Sequence, residues 1–327
     1  KLVREVHTYI IELGIQKDVI VGNTLIDLYA KFGSLTDAYE VICTLGDRNT
    51  VSWSALIAGY AHNGNVYEAD VLFHKMKEEG MELNNEAWNA LISGYAEHGD
   101  GNQALICFEA MQSDGISPNA ATFILCLRAC GNIGAPEKGE KIHRQIIRRG
   151  LLERDISLGN TIIDMYMKCI SIAMAQEVFK ELPSRDVISW TTLIAGYVEH
   201  GFGKEALHCF AQFKYEGLSA DPVMFACILK ACGSIQDVSK GQDTHNEIDR
   251  IGLLKSNHFI GGALVDMYVK CGFIRKTREV FDTLPIRTLF AWTALISGYA
   301  QCEDVEEALK CFDHMIVEGT KLYINLI

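Results

Sequence analysis

Hydrophobic residues recur every three or four positions along most of the chain, a spacing that places them on one face of an α-helix. In residues 50–84, one apolar stripe stops before Gly64 and a second stops before Gly80, and glycine commonly ends helices. The first stripe consists of Leu56, Ile57, Tyr60 and Ala61, and the second of Ala69, Leu72, Phe73 and Met76. The pattern predicts two amphipathic helices, and neither can bury its stripe alone.

The tryptophans show that this two-helix pattern is repeated. All four stand in the context W-x-x-L-I-x-G-Y, at Trp53, Trp88, Trp190 and Trp292, with spacings of 35, 102 and 102 residues. Division at equivalent residues gives a partial repeat at 1–18, complete repeats at 19–49, 50–84, 85–119, 120–155, 156–186, 187–221, 222–257, 258–288 and 289–323, and the start of a further repeat at 324–327. The complete repeats have 31, 35 or 36 residues, and one of each length makes up the 102-residue period. Stacked hairpins of this kind predict an all-α fold, a right-handed α-solenoid superhelix with a groove along it.

Composition and charge exclude several classes of protein. Of the 327 residues, 49% are hydrophobic and 22% are charged, which is typical of a folded chain. No stretch approaches 18 uninterrupted apolar residues, so we expect no membrane span. The net charge of −12 argues against binding duplex DNA through its phosphates but leaves base recognition on a single strand open. The opening residues, KLVREVHTYIIELG, predict an amphipathic helix, so we expect any targeting segment to lie outside this sequence.

The eleven cysteines include no close-set pairs, which favours free thiols in a reducing compartment. Several recur at the 102-residue period, whereas a zinc site needs ligands that converge at one place. A ladder of tryptophans for base stacking is another interpretation, but each tryptophan lies on the apolar side of its predicted helix. We therefore expect both residue types to pack in the core, and we predict no cofactor and no metal ion.

His245, Asn246 and Glu247 match the H-x-E half of a zinc-deaminase signature. The P-C-x-x-C half is absent downstream, and His245 is equivalent in the repeats to His143 and His7. We therefore predict that this chain is not an enzyme, and that any deaminase domain lies beyond residue 327 or on a partner.

Two families of helical repeats match a two-helix unit of this size. Tetratricopeptide repeats place their glycine just after the leucine, whereas here Leu56 is followed by Ile57, and Gly59 precedes Tyr60. The whole chain instead resembles the pentatricopeptide repeat family, and specifically the plant PLS subclass in which standard, long and short repeats alternate. The motifs ATFILCLRACG and VMFACILKACG are typical of long repeats, and LGNTIIDMYMKC is typical of a short one.

The resemblance assigns every repeat to a type. The short repeats are 19–49, 156–186 and 258–288; the standard repeats are 50–84, 85–119, 187–221 and 289–323; the long repeats are 120–155 and 222–257, and 1–18 is part of another. The resemblance implies sequence-specific binding of single-stranded organellar RNA, one base per repeat, as the specificity module of a C-to-U RNA editing factor. It also implies a location in the mitochondrion or chloroplast. The partners that it implies are small organellar editing cofactor proteins, bound by the long repeats, and a deaminase domain in cis or trans; binding to a membrane is not expected.

In this family the fifth and last residues of a repeat select the base. Matching positions give five pairs: Asn23 with Asn49, Ser54 with Asn84, Asn89 with Asn119, Asn160 with Asp186, and Thr191 with Asp221. The family correspondence assigns these pairs to pyrimidine, A, pyrimidine, U and G, with C favoured at both pyrimidines. The remaining pairs depart from polar readout: Ile124 with Asp155, Ala226 with Asn257, Gly262 with Thr288, and Thr293 with Tyr323. Thr293 alone among these retains a purine preference, so the expected RNA is 5′-YAYNUGNNR-3′.

In the same family the second residues of adjacent repeats sandwich the base. Six of these positions hold apolar side chains suited to that contact: Ile20, Val51, Ile188, Val223, Phe259 and Phe290. Glu86, Ala121 and Ser157 suit it less well.

Two alternatives remain open at this point. The Asn and Asp residues at the fifth and last positions lie close to predicted helix starts, so helix N-capping is a competing explanation for them. The whole array is also compatible with a protein-scaffolding module that binds peptides or other proteins, and the acidic net charge favours that class.

Overall fold

The computed structural model describes residues 2–46 and 48–324, with side chains described through residue 318. Within these residues there are twenty α-helices and no strand. The helices are α1 (Leu2–Glu12), α2 (Val19–Lys31), α3 (Leu35–Thr44), α4 (Thr50–His62), α5 (Val66–Glu78), α6 (Asn85–Glu97), α7 (Gly101–Ser113), α8 (Ala120–Ile133), α9 (Pro136–Arg148), α10 (Ile156–Lys168), α11 (Ile172–Glu181), α12 (Val187–Glu199), α13 (Gly203–Tyr215), α14 (Pro222–Ile235), α15 (Val238–Arg250), α16 (Leu253–Ser256), α17 (His258–Lys270), α18 (Ile274–Thr283), α19 (Leu289–Gln301) and α20 (Val305–Ile324). Ile324 ends α20, and the rest of the further repeat expected at 324–327 lies outside the described residues. None of the described helices is long and apolar enough to cross a bilayer.

The helices form two compact units. The first contains the residues up to Met174 together with Glu181–Pro183, and the second contains Ala175–Lys180 and the residues from Ser184 onward. Within each compact unit, the first helices of consecutive repeats pack directly on one another, as α4 packs on α6 and α17 on α19. A second helix packs against the first helix of its own repeat and that of the next, as α5 packs against α4 and α6. This arrangement buries the stripe that a single hairpin leaves exposed.

Each complete repeat begins at the first residue of a helix. These first helices are α2, α4, α6, α8, α10, α12, α14, α17 and α19. They have 13 residues, except that α8 and α14 in the long repeats have 14. The second helices α3, α11 and α18 of the short repeats have 10 residues, whereas α5, α7, α9, α13 and α15 have 13. The three repeat lengths therefore correspond to differences in helix length.

The four tryptophans are between 1% and 5% exposed, so the prediction that they pack in the core is confirmed. The ring of Trp190 lies edge-on to Phe179 at a centroid distance of 4.7 Å and to Phe213 at 6.2 Å. Its Nε1 donates to Oε2 of Glu216 at 3.1 Å. Because the indole is both buried and hydrogen-bonded, it joins neighbouring helices without leaving a polar atom unsatisfied.

The glycine of the W-x-x-L-I-x-G-Y motif lies where two first helices approach each other. A methyl group placed on Gly59 would lie 2.5 Å from Cβ of Ala30, and one on Gly94 would lie 2.7 Å from Cβ of Ala61. These separations leave no room for a side chain. The motif glycine therefore sets how closely consecutive first helices pack.

All eleven cysteines are free thiols. Most of those at the 102-residue period are buried, namely Cys107, Cys130, Cys209, Cys232 and Cys311. Burial raises the pKa of Cys130 and of Cys232 to about 12, so both thiols stay protonated at neutral pH. Cys43 and Cys302 are exposed and lie outside the core.

Candidate nucleic-acid interface

The last residue of each repeat that precedes another complete repeat is the N-cap of the next first helix. The side chain of Asn49 accepts a hydrogen bond from the backbone N–H of Ser52 at 2.9 Å, and that of Asp221 accepts one from Met224 at 2.7 Å. The same role is played by Asp18, Asn84, Asn119, Asp155, Asp186, Asn257 and Thr288. The capping interpretation is therefore correct for the last position. It is wrong for the fifth position, which lies inside the first helix.

Three of the five predicted pairs come together through hydrogen bonds. The hydroxyl of Ser54 donates to Oδ1 of Asn84 at 3.3 Å. The side-chain N–H of Asn89 donates to Oδ1 of Asn119 at 3.5 Å. Asn23 and Asn49 are joined through the hydroxyl of Ser52, which lies 2.6 Å from Oδ1 of the first and 3.0 Å from Oδ1 of the second. Side chains about 30 residues apart in sequence thus form one polar site at the start of α4, of α6 and of α8.

The pair of Thr191 and Asp221 is not joined in this way. The hydroxyl of Thr191 donates to the carbonyl of Val187 in its own helix at 2.7 Å, while Asp221 caps α14. Asn160 belongs to the first compact unit and Asp186 to the second.

Four pairs depart from polar readout, and their fifth residue is apolar in the two long repeats, Gly262 in the repeat 258–288 and Thr293 in the last repeat. Ile124 and Ala226 are half-buried apolar residues, as the sequence indicates for the long repeats. The hydroxyl of Thr293 donates to the carbonyl of Phe290 at 3.0 Å, and Tyr323, its predicted partner, lies outside the described side chains.

The second residue of every complete repeat is exposed. The apolar ones range from 44% exposed for Phe290 to 78% for Ile20, and they include Val51, Ile188, Val223 and Phe259. Glu86, Ala121 and Ser157 are exposed as well. The rings of Phe259 and Phe290 stack on each other, with centroids 6.2 Å apart and planes 15° apart. Exposed apolar side chains at a fixed period are unusual for a surface that contacts only water.

The ninth residue of a first helix lies one turn beyond the fifth, on the same side of the helix. In the long repeats this residue is a cation, Arg128 or Lys230, and both are exposed and make no ion pair among the described residues. In the short repeats it is an aspartate whose carboxylate pairs with a lysine four residues later, at 2.6 to 2.8 Å: Asp27 with Lys31, Asp164 with Lys168 and Asp266 with Lys270. In the standard repeats it is small: Ala58, Ser93, Ala195 and Ser297. We call the surface formed by the second, fifth and ninth residues the first-helix face.

His245, which matches the H-x-E part of the zinc-deaminase signature, makes the same contact with a tyrosine as the equivalent His143. Its Nδ1 lies 3.0 Å from the hydroxyl of Tyr268, and Nδ1 of His143 lies 3.2 Å from that of Tyr166. Burial lowers the pKa of both imidazoles. Among the described residues, no group of three or more His, Cys, Asp and Glu side chains converges in a way that would hold a metal ion. The equivalence of His245 and His143 supports a packing role for both.

These features define a protein of stacked helical hairpins with a periodic polar and apolar surface on its first helices. Its repeats match the model of the PPR repeat at residues 23–49, 51–81, 188–218 and 290–320, and the model of the PPR repeat family at 83–132. Together these matches span more than half of the chain. The chain belongs to the PPR repeat family.

Relatives in plants cover nearly all of the chain. A chloroplastic pentatricopeptide repeat-containing protein of Arabidopsis thaliana is 34% identical over 316 residues, which are 97% of this chain and 45% of that protein. A second, putative one from the same plant is 35% identical over 320 residues, 97% of this chain and 42% of that protein. This chain therefore spans less than half the length of either relative.

A solved structure shows the same fold. The crystal structure of the pentatricopeptide repeat protein PPR10 in complex with an 18-nt psaJ RNA element matches with a TM-score of 0.77 and 17% identity, over 97% of this chain and 48% of that one. The prediction of an all-α solenoid built from helical hairpins is confirmed.

Proposed function

We propose that this chain binds single-stranded RNA in a sequence-specific manner, one base per repeat, as the specificity module of an organellar C-to-U RNA editing factor. One observation carries the proposal. Polar side chains of the fifth and last positions meet in hydrogen-bonded pairs, and exposed apolar side chains of the second position flank them. A pair of this kind offers hydrogen bonds to a base edge, and its flanks offer a stacking surface.

The capping bonds indicate how the last residue distinguishes bases. Capping uses a side-chain oxygen, so an asparagine such as Asn49 has its NH2 group left to donate, whereas an aspartate such as Asp221 has a second oxygen left to accept. On the Watson–Crick edge, A and C present a ring nitrogen that accepts, and G and U present a ring N–H that donates. Asparagine therefore fits A or C and aspartate fits G or U, in agreement with the assignments that the family resemblance implies.

The charges at the ninth position of the first-helix face also favour a polyanion, although Glu86 at a second position of this face is an exposed carboxylate. The net charge of −12 favoured a protein ligand, but Arg128 and Lys230 are exposed on this face without an ion-pair partner among the described residues. The aspartates at the ninth position are each neutralised by a lysine of the same helix, for example Asp164 by Lys168. A phosphodiester backbone bound along this face would therefore contact a cation at the ninth position of each long repeat. At the ninth position of the short repeats it would contact aspartates whose charge is already paired with lysine.

The organellar and editing parts of the proposal have separate support. The relative that is 34% identical is named as chloroplastic, and another that is 29% identical is named as mitochondrial. The alternation of three repeat types, which the family resemblance associates with C-to-U editing, corresponds to alternating helix lengths. We expect that loss of the gene leaves specific cytidines unedited next to the RNA sequence that the chain selects.

The test is selection from a randomised pool of single-stranded RNA by filter binding, followed by sequencing. We expect enrichment of 5′-YAYNUGNNR-3′. A DNA duplex of the corresponding sequence is the control for nonspecific charge effects, and it should not be retained. Retention of RNA without any sequence preference would contradict base reading. Failure to retain RNA, together with capture of a peptide ligand, would establish the scaffolding function instead.

A further inference from the structure

Two hydroxyl groups are completely buried beside the polar pairs. Ser52 and Thr122 are the third residues of their repeats, and both are 0% exposed. A buried hydroxyl is costly unless it is hydrogen-bonded, so its partners indicate why it is there.

Both hydroxyls donate to the fifth residue of the preceding repeat. Oγ of Ser52 lies 2.6 Å from Oδ1 of Asn23, and Oγ1 of Thr122 lies 2.7 Å from Oδ1 of Asn89. Each hydroxyl oxygen also lies 3.0 Å from the side-chain oxygen of the N-cap residue, Asn49 for Ser52 and Asn119 for Thr122. The contact with the fifth-position asparagine is therefore the shorter of the two. The asparagine therefore receives a hydrogen bond from the neighbouring repeat, across the boundary between the two.

The sequence shows the same association in every repeat with a complete successor. After the three repeats whose fifth residue is asparagine, the third residue of the next repeat is a hydroxyl amino acid: Ser52 after Asn23, Thr122 after Asn89, and Ser189 after Asn160. After the repeats whose fifth residue is not asparagine, that position is apolar: Ala87, Leu158, Met224, Ile260 and Ala291. A general requirement for helix capping would not sort the residues in this way, because every one of these helices has an N-cap.

We propose that, where the preceding repeat has asparagine at its fifth position, the third residue of a repeat is a positioning residue for base selection by that preceding repeat: its hydroxyl fixes the orientation of the asparagine. A carboxamide presents either its oxygen or its NH2 group when it turns over. The hydroxyl engages Oδ1 of Asn23 and thereby leaves the NH2 group of that residue to donate to the base. The specificity of such a repeat then depends on three residues, the third of which belongs to the next repeat.

This inference rests on the proposed RNA binding, and the test separates the two. Ser52→Ala removes the hydroxyl that faces Asn23, and Thr122→Val removes the one that faces Asn89 at nearly constant volume. Dissociation constants are measured for RNAs that carry a pyrimidine or a purine at the first base, which the repeat of Asn23 contacts, and at the third base, which the repeat of Asn89 contacts. Each variant is the control for the other, because it leaves the second site intact.

We expect Ser52→Ala to reduce the pyrimidine preference at the first base about fivefold, the change that loss of one ordinary hydrogen bond gives, and to leave the third base unaffected. Thr122→Val should do the reverse. Ser52→Thr and Thr122→Ser, which keep the hydroxyl, should restore the wild-type preference. If Ser52→Ala does not fold, Ser52→Cys fills the same space with a much weaker donor and should give the same loss.

The outcomes separate the two proposals. Wild-type preference retained in folded Ser52→Ala and Thr122→Val would overturn the positioning role and leave RNA reading intact. An equal loss at both bases in either variant would indicate a general structural effect and would also overturn it. A wild-type chain that binds none of the RNAs would overturn both proposals.

Discussion

The ring of Phe290 lies directly over Gly262. A methyl group placed on this glycine would lie 2.4 Å from Cδ1 of the ring, so the phenyl group occupies the space where other repeats hold the fifth side chain. Phe290 also stacks on Phe259, and the centroid distance of 6.2 Å is less than the roughly 7 Å that a base needs to fit between two rings. The repeat at 258–288 therefore has a closed aromatic stack in place of a hydrogen-bonding pair.

We expect Phe290→Ala to weaken RNA binding by roughly 1–3 kcal/mol, to the same extent for all four bases at the eighth position, because a base can stack only on the exposed side of the closed pair and makes no base-specific contact there. The measurement is the dissociation constant for four RNAs that differ only at that base. Phe32→Ala removes another exposed ring, at the end of α2, and should leave binding unchanged. A changed base preference in Phe290→Ala would show that the phenyl ring itself discriminates bases.

Replacement of Thr191 by asparagine should move the preference at the sixth base from G to U. The variant recreates the combination of Asn160 with Asp186, and Thr191 contributes only a bond to its own helix, to Val187. We expect a change in discrimination of roughly 1–3 kcal/mol and a change in stability below about 0.5 kcal/mol. Binding to two RNAs that differ only at this base checks the prediction, and the other positions provide the control. Because the third residue of the following repeat is Met224 and not a hydroxyl amino acid, binding is also measured in Thr191→Asn combined with Met224→Ser. No reversal in either folded variant would mean that the assignment of the fifth position is wrong.

Asp221→Asn tests the role of the last position without removing the helix cap. Asparagine and aspartate are equivalent caps, so the free energy of unfolding should change by about 0.5 kcal/mol or less. The atom left over changes from an acceptor oxygen to a donor NH2 group, so the sixth base should change from G to A. Asp221→Ala should cost about 1 kcal/mol of stability through loss of the bond to Met224. If Asp221→Asn still prefers G, the last position caps the helix but does not select the base.

The cations of the long repeats should determine part of the salt dependence. If Arg128 and Lys230 each neutralise one phosphate, glutamine at either position lowers the slope of log K against log salt by about 0.7, without changing base preference. Lys141→Gln is the matched control, because Lys141 lies exposed on the second helix of the repeat that contains Arg128. Equal effects of all three variants would show that only the net charge matters.

The buried histidines should make the fold less stable in acid. Burial lowers the pKa of His143 and of His245 below the ordinary value of 6.5. As the pH falls through about 6.5, the unfolded chain takes up protons that the folded chain excludes, so the stabilising contribution is complete above this pH and is lost below it.

We therefore expect the melting temperature to fall between pH 7 and pH 5, and to fall less in His143→Gln, which retains a partner for the hydroxyl of Tyr166. His208→Gln, at an exposed position, should keep the full pH dependence. If the melting temperature falls equally with pH in the wild type and in His143→Gln, the prediction is contradicted.

The helices and the core were predictable because they depend on periodicity. The stripe that contains Leu56 and the one that contains Met76 each need a partner, and the recurrence of the Trp53 motif at equivalent places shows that the partner is another copy of the same hairpin. Both Leu56 and Met76 are 0% exposed. The exposure of the second residues also follows from their place opposite the tryptophan-bearing side of the helix.

The contacts between repeats were not predictable in the same way. The position of Phe290 over Gly262 and the bond from Ser52 to Asn23 depend on the offset between neighbouring first helices, which no local pattern specifies. A signal for the second contact was nevertheless present, since a hydroxyl amino acid follows only those repeats that carry asparagine. The capping role of the last position was detectable from its residue types, Asn, Asp and Thr, but these types alone do not separate capping from base contact.

On the proposed function the last residue both caps a helix and selects a base, and this double role limits which amino acids it can be. Asn49, Asp186 and Thr288 are all good helix caps, and replacing a cap by an apolar residue costs about 1 kcal/mol. Selection for a new target sequence thus chooses among four or five amino acids at this position rather than twenty. It also follows that exchange of whole repeats, by recombination or by engineering, transfers the start of the neighbour's helix along with the base preference. Junctions placed just before the cap, rather than just after it, would keep each first helix together with the residue that begins it.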